Sequence, residues 1–245
     1  MFKNIFARVW ALWGLITFSV TFLIAFPFAM VSYFMNGVKR QRYFILISRV
    51  WMRVWLSLVC CPVRISGRAH FKYGHNYIVL FNHNALLDVP ISSPFVPGSN
   101  KTIAKASFSK VPIFGLYYKL GSVLVDRKNE KSRAKSFDKM QKVLAAGINM
   151  CIYPEGTRNR TGQPLKSFYD GAFRLAKVSG KEIIPCILKG TKAAMPPHKT
   201  FYFLPAALSL QFLPAISPDG LTVQELKEKV YNIMLEAYTG NGYKS

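Results

Sequence analysis

From Val9 to Val38 the chain carries no charged side chain. Wound as one helix, such a run would be roughly 45 Å long at 1.5 Å per residue, more than the ~30 Å hydrocarbon core of a bilayer needs. Two features argue against a plain span. Pro27 lacks an amide donor and should kink or break the helix. Basic residues flank both ends, Lys3 and Arg8 before and Lys39, Arg40 and Arg42 after. The positive-inside rule then puts both ends on the cytoplasmic side. A bent helix dipping into one leaflet satisfies both constraints. The run is too long for a cleaved secretory signal, and no small-residue cleavage site follows it cleanly.

The next segment, 43–58, is amphipathic. Arg42, Arg49 and Arg53 fall on one helical stripe, with Trp51 and Trp55 on the opposite side. This pattern predicts an interfacial helix, arginines at headgroup level and aromatics in the acyl boundary. The competing expectation is a helix packed on a globular body through its tryptophans. Cys61-Pro62 ends the segment, so the expected division is a membrane-associated two-helix motif over 1–61 and a catalytic domain over 62–245.

After Pro62 the pattern changes. Apolar runs at 63–66, 77–81, 122–125, 150–153, 183–188 and 208–213 read as strands. Helical patterns lie between them at 132–146 and 171–178, and Thr222 and Glu225 have capping-box spacing ahead of a last helix. Strands alternating with helices predict an α/β fold, a mixed, largely parallel sheet flanked by helices. The 33 basic and 11 acidic residues give a net charge of +22, distributed along the whole chain. Such a field favours a polyanionic partner, nucleic acid or an anionic membrane surface. The four cysteines have no metal-ligand spacing, and they read as reduced thiols in a cytosolic compartment.

Three blocks carry candidate chemistry. The strand 77–81 is followed by Asn82-His83, and Asp88 stands five residues after the histidine. A carboxylate at that distance can fix the imidazole tautomer and leave the other ring nitrogen as a base. Alone, the pair reads first as a hydrogen-bonded histidine at a helix cap. A second strand runs out through Tyr153-Pro154-Glu155-Gly156-Thr157-Arg158, where Gly156 permits a tight turn and Arg158 offers a fork suited to phosphate. A third leads from Gly121 to Asp126-Arg127, and Lys105 stands upstream, ahead of Pro112 and Gly115. Singly, each cation is an ordinary solvated side chain; grouped at strand ends, they make an anion pocket.

Together the blocks resemble the glycerolipid acyltransferase family, most closely the bacterial 1-acyl-sn-glycerol-3-phosphate acyltransferases. The resemblance rests on Asn82-His83 with Asp88, on Lys105, Pro112, Gly115, Gly121 and Arg127, on Tyr153 to Arg158, and on the apolar strand Ile183-Ile184-Pro185-Cys186. The blocks stand in family order over roughly residues 63–215, and the amino-terminal hairpin is similar to that of bacterial members. Asn84-Ala85 stands where the family often has Gln-Ser, and Tyr153 where it has Phe.

The resemblance implies that His83 and Asp88 are catalytic, His83 as general base and Asp88 as its orienting partner. It implies that Lys105, Arg127, Glu155, Gly156, Thr157 and Arg158 form the phosphate pocket. The reaction implied is acyl transfer from acyl-CoA or acyl-ACP to the sn-2 hydroxyl of lysophosphatidate in the bilayer, with no metal or other cofactor. The setting implied is the cytoplasmic face of the bacterial inner membrane. Rival expectations are an acyltransferase acting on glycerol 3-phosphate or another lysolipid such as lyso-ornithine lipid, and a non-catalytic membrane protein that binds polyanions. No nucleic-acid recognition motif is present.

Overall fold

The computed structural model describes residues 1–126 and 129–240. Helices α1 (Phe2–Met30) and α2 (Gly37–Leu58) form an antiparallel hairpin whose turn contains a 3-10 segment, Val31–Phe34. Arg40 closes the turn, its Nε donating to the Met35 carbonyl at 2.7 Å. Pro27 lies within the last turn of α1, so the helix runs through it and ends at Met30. A proline so near the end removes one ladder bond and leaves the rest of the arm intact.

Helix α1 is apolar on two sides with different destinations. Ala7, Ala11, Gly14, Phe22 and Ala29 are buried against the rest of the protein. Leu12, Ile16, Val20, Leu23, Ile24 and Phe28 are exposed, with no protein partner layer over them. Phe2–Phe34 is the one helix among the described residues long and apolar enough to cross a membrane. An uninterrupted apolar face of this length supports membrane association.

The tryptophans of α2 correct one expectation. Trp51 and Trp55 do not face lipid: both are buried, Trp51 donating to Thr21 Oγ1 and Trp55 to the Gly14 carbonyl, each at 3.0 Å. Burying an indole without an acceptor is costly, and α1 supplies one for each. Arg49 turns inward as well, donating to the Pro94 and Val96 carbonyls at 2.7 and 2.9 Å. Trp51, Trp55 and Arg49 therefore fasten α2 to α1 and the body, while Leu46, Val50, Val54 and Leu58 leave α2 an exposed apolar row beside that of α1.

The body is a seven-stranded sheet of β1 (Val63–Ser66), β2 (Ile78–Phe81), β3 (Asn100–Lys105), β4 (Ser122–Val125), β5 (Asn149–Ile152), β6 (Ile183–Lys189) and β7 (Leu208–Phe212). Their order is β1-β7-β6-β2-β5-β3-β4, with every neighbouring pair parallel except β6 and β7. The sheet is the mixed, largely parallel one expected. Strand β3 is the addition. Its polar start, Asn100-Lys101-Thr102, hides an inward face that is satisfied internally: Asn100 exchanges bonds with Ser93, and Gln41 donates to the Asn100 carbonyl at 2.6 Å.

Three layers result. The hairpin, α3 (Asp88–Ile91) and α4 (Phe114–Gly121) lie on one face, where Trp51, Trp55, Val79, Phe81 and Ile184 share one core. On the other, α5 (Glu130–Ala145), α6 (Gly171–Ser179) and, after the single-turn α7 (Thr191–Ala194), α8 (Val223–Thr239) bury Ile78, Leu80, Met150 and Ile183. The predicted capping box opens α8, with Thr222 and Glu225 bonding reciprocally. In α4, Gly115 is required by close approach, because a Cβ there would lie 2.3 Å from the Ser109 carbonyl oxygen. Strands β6, β2, β5, β3 and β4 are adjacent and co-directional, so their carboxyl ends form one row at one edge of the sheet. Parallel sheets present ligand-binding groups at that edge.

Candidate active site

Strand β2 ends at Phe81, and Asn82 takes over the ladder with its side chain. Its Nδ2 donates to the Leu188 carbonyl at 3.0 Å and its Oδ1 accepts the Leu188 amide at 2.7 Å. The backbone is thereby free to turn out of the sheet at His83. Its imidazole Nδ1 lies 2.8 Å from Asp88 Oδ2, the two separated by four intervening residues. That same carboxylate oxygen accepts the amides of Asn84 and of Ala85, the latter at 2.7 Å. A carboxylate can only accept, so Nδ1 carries a proton, and in the neutral imidazole Nε2 is the nitrogen that presents a lone pair. Asp88 is fully buried, whereas the His83 side chain retains 17% exposure. The ring packs on Tyr153, centroid to centroid 4.4 Å. Burial pushes the Tyr153 phenol well above its ordinary pKa, and the Asp88 charge adds to this, so Tyr153 is a neutral wall. Its hydroxyl bonds Ser92 Oγ at 2.7 Å.

The Pro154–Arg158 turn follows the neighbouring strand β5 and locks onto the histidine from behind. Glu155 Oε1 accepts the His83 amide at 2.7 Å and Oε2 accepts the Lys166 amide at 3.1 Å. The His83 carbonyl accepts the Asn159 amide at 2.6 Å. Gly156 sits in the left-handed region at φ 70°, which lets the chain reverse at once. Glu155 is completely buried, so its carboxylate clamps the two loops together and does not face the open side.

Burial raises the Glu155 carboxyl to about 7, opposed by its two backbone donors and raised further by the Asp88 charge. Its folded value is higher than its unfolded one. The associated stability is present in acid and is lost as pH rises through about 7. The expected result is that melting temperature falls between roughly pH 5 and pH 8, by the equivalent of about 3 kcal/mol at most. Glu155→Gln should flatten that part of a thermal-melt pH profile; an unchanged slope would show that another group is responsible.

The other sequence-derived positions are placed as follows. Lys105 ends β3, two strands from β2 and thus about 10 Å away at ~4.8 Å per strand, and it is exposed. Thr157 is exposed, its hydroxyl accepting from Lys166 Nζ at 3.0 Å. Arg158 is half-buried. Arg127 lies outside the described residues. Arg158 borders a cavity of about 400 Å3 between the hairpin and the body, walled by Phe18, Trp55, Leu86, Leu87, Pro90 and Phe203. The groove thus begins beside the His83 loop and runs along α1.

Several contributors were missed. Lys166 and Asn159 act through backbone contacts that no spacing rule signals. Asn84 Nδ2 reaches Tyr238 Oη of α8 at 3.4 Å, bringing the last helix to the site. Lys189, at the end of β6, donates to the Ala237 carbonyl at 3.0 Å. Among the described residues, no three His, Cys, Asp or Glu side chains are grouped as a metal site would need.

The comparisons with known proteins bear on this arrangement. The chain is 30% identical over 179 residues to a 1-acyl-sn-glycerol-3-phosphate acyltransferase of Limnanthes douglasii, covering 72% of this chain and 62% of that protein. To the alpha form of that enzyme in Mus musculus it is 29% identical over 181 residues, covering 72% of this chain and 63% of the relative. It therefore spans less than two thirds of their length. The crystal structure of the 1-acyl-sn-glycerophosphate acyltransferase PlsC from Thermotoga maritima superposes with a TM-score of 0.82 at 21% identity, over 98% of this chain and 99% of that one. That likeness shares the fold, hairpin included. The family model described as Acyltransferase matches residues 62–189, just over half of the chain and every strand whose end lines the His83 edge. The chain belongs to the acyltransferase family.

Proposed function

We propose that the chain transfers an acyl group from an acyl thioester, of coenzyme A or of acyl carrier protein, to the sn-2 hydroxyl of 1-acyl-sn-glycerol 3-phosphate, forming phosphatidate. The carrying observation is the His83–Asp88 pair, on a loop whose Leu86 and Leu87 wall an apolar groove that Arg158 borders. Nε2 takes the hydroxyl proton as that oxygen attacks the thioester carbonyl. The carbon–sulfur bond then breaks, and the imidazolium returns the proton to the departing thiolate. Asp88 holds the tautomer and offsets the imidazolium charge. The thioester is already activated, so the step requires neither a metal nor a further cofactor. Arg158, Lys105 and Arg127 are the cations assigned to the glycerol phosphate, and Gly156 and Thr157 shape that turn, braced from behind by Glu155.

The names of the relatives favour this acceptor. The exposed face of α1 favours an enzyme seated on one leaflet, drawing its lipid sideways into the groove, and the proposed seat is the cytoplasmic face of a bacterial inner membrane. A basic body is held there by anionic lipid at about 1 kcal/mol per well-placed cation.

The test is phosphatidate formation by purified protein in detergent, from lysophosphatidate with each donor. Arg158→Ala should cost about 10- to 100-fold in kcat/KM for lysophosphatidate, as expected for a charge-assisted phosphate contact, and little with an acceptor lacking phosphate. No phosphatidate from wild type with either donor would refute the proposal.

A further inference from the structure

We infer that a lysine-lined pocket beside the edge strand β4 binds the phosphate headgroup of an anionic lipid. Lys101 of β3, Lys119 of α4, and Lys139 and Lys142 of α5 surround a cavity of about 320 Å3 over Ser122 and Val143. Lys101 stands four positions before Lys105, roughly 13 Å back along the strand at ~3.3 Å per residue. The pocket runs along the edge strand β4, from Ser122 to Leu124, and no residue of the His83 loop or the Pro154–Arg158 turn lines it.

Two observations point to an anion site. Four ammonium-bearing side chains converge, and no acidic residue is among those lining the cavity. Among the described residues none of the four forms an ion pair with a carboxylate. Lys101 is moreover half-buried; burial, and then the charge of Arg40, pull its ammonium below the usual lysine value. A cation withdrawn from water without a counter-charge destabilises the fold until an anion joins it. The cavity is at the small end of ligand pockets, suited to a headgroup or a nucleotide and too small for a protein surface.

The neighbourhood selects the lipid. Arg40 holds the hairpin turn through the Met35 and Tyr33 carbonyls. That turn carries Val31, Tyr33 and Phe34, all exposed, Phe34 to 91%. The cationic pocket and the apolar tip of the hairpin thus lie side by side, as a headgroup and its acyl chains require. A soluble nucleotide gains nothing from Phe34. This inference rests on the membrane seating proposed above, and its test separates the two.

The experiment measures partitioning onto vesicles of phosphatidylcholine alone and of phosphatidylcholine doped with phosphatidylglycerol. Binding to the neutral vesicles reports the hairpin; the increment on doping reports the pocket. Lys139→Gln/Lys142→Gln should leave the neutral value unchanged and cut the increment about fivefold per lysine. Lys181→Gln/Lys229→Gln, a loss of equal charge away from the pocket, should spare most of it. In detergent, phosphatidylglycerol should raise the melting temperature of wild type more than that of Lys101→Met. An increment equally reduced by both double variants would reduce the pocket to bulk charge and overturn the inference. So would adenosine 3′,5′-bisphosphate that binds wild type and not Lys139→Gln/Lys142→Gln while partitioning is unaffected.

Discussion

His83→Ala is expected to lower the rate of acyl transfer by ~10²–10⁴ while moving the melting temperature by only a few degrees. Both halves follow from how the loop is held. The His83 backbone is fixed through its amide on Glu155 and its carbonyl on Asn159, and alanine keeps both bonds. Asp88 likewise retains the Asn84 and Ala85 amides. The imidazole itself is partly exposed and contributes a ring contact with Tyr153 and one bond to Asp88. Its removal therefore takes away the base and little of the scaffold. Turnover by His83→Ala within a few-fold of wild type, measured with a chelator present and the fold checked by thermal melt, would remove His83 from the chemistry. A large fall in melting temperature alongside the loss would instead make the histidine structural.

Much of the site was legible because its parts are local. The Asn82-His83 to Asp88 spacing closes within one turn of chain, and Pro154-Glu155-Gly156 announces its own reversal through glycine's access to positive φ. Strands β2, β5 and β6 were readable because a sheet covered on both faces demands continuous apolar runs, and β1, β4 and β7 because their buried or half-buried residues alternate. What was not legible depends on partners distant in the chain. Strand β3 opens with polar residues that are tolerated only because Ser93 and Gln41 meet them. Trp51 and Trp55 have the composition of an interfacial helix, yet Thr21 and Gly14 give their indoles acceptors inside the hairpin. An amphipathic pattern states that one face is apolar; whether lipid or protein covers it is decided by a neighbouring helix. Glu155 was placed among phosphate-pocket residues by its motif, and only the tertiary structure turns its carboxylate back onto the His83 and Lys166 amides.

The pair Asp88→Asn and Asp88→Ala separates two tasks carried by one buried atom. Oδ2 accepts from His83 Nδ1, Asn84 N and Ala85 N, while Oδ1 has no partner among the described residues. Three donors aimed at a single point oblige an asparagine to put its carbonyl oxygen there and its amide nitrogen at the empty position. The tautomer of His83 then survives, with Nε2 still unprotonated. What disappears is the charge that offsets the imidazolium, worth about 10- to 10³-fold in rate at this separation. The stability cost should be about 1–3 kcal/mol, from one buried N–H₂ group without an acceptor. Asp88→Ala removes the acceptor altogether. It strands two backbone amides in the interior and releases the ring, so stability should fall by about 2–5 kcal/mol. Activity should fall below that of the asparagine variant, because orientation is lost along with charge. Equal rates for the two variants at a temperature where both are folded would mean that Asp88 acts through charge alone. An asparagine variant as fast as wild type would mean that His83 never becomes an imidazolium during the transfer, which the general-base mechanism does not survive.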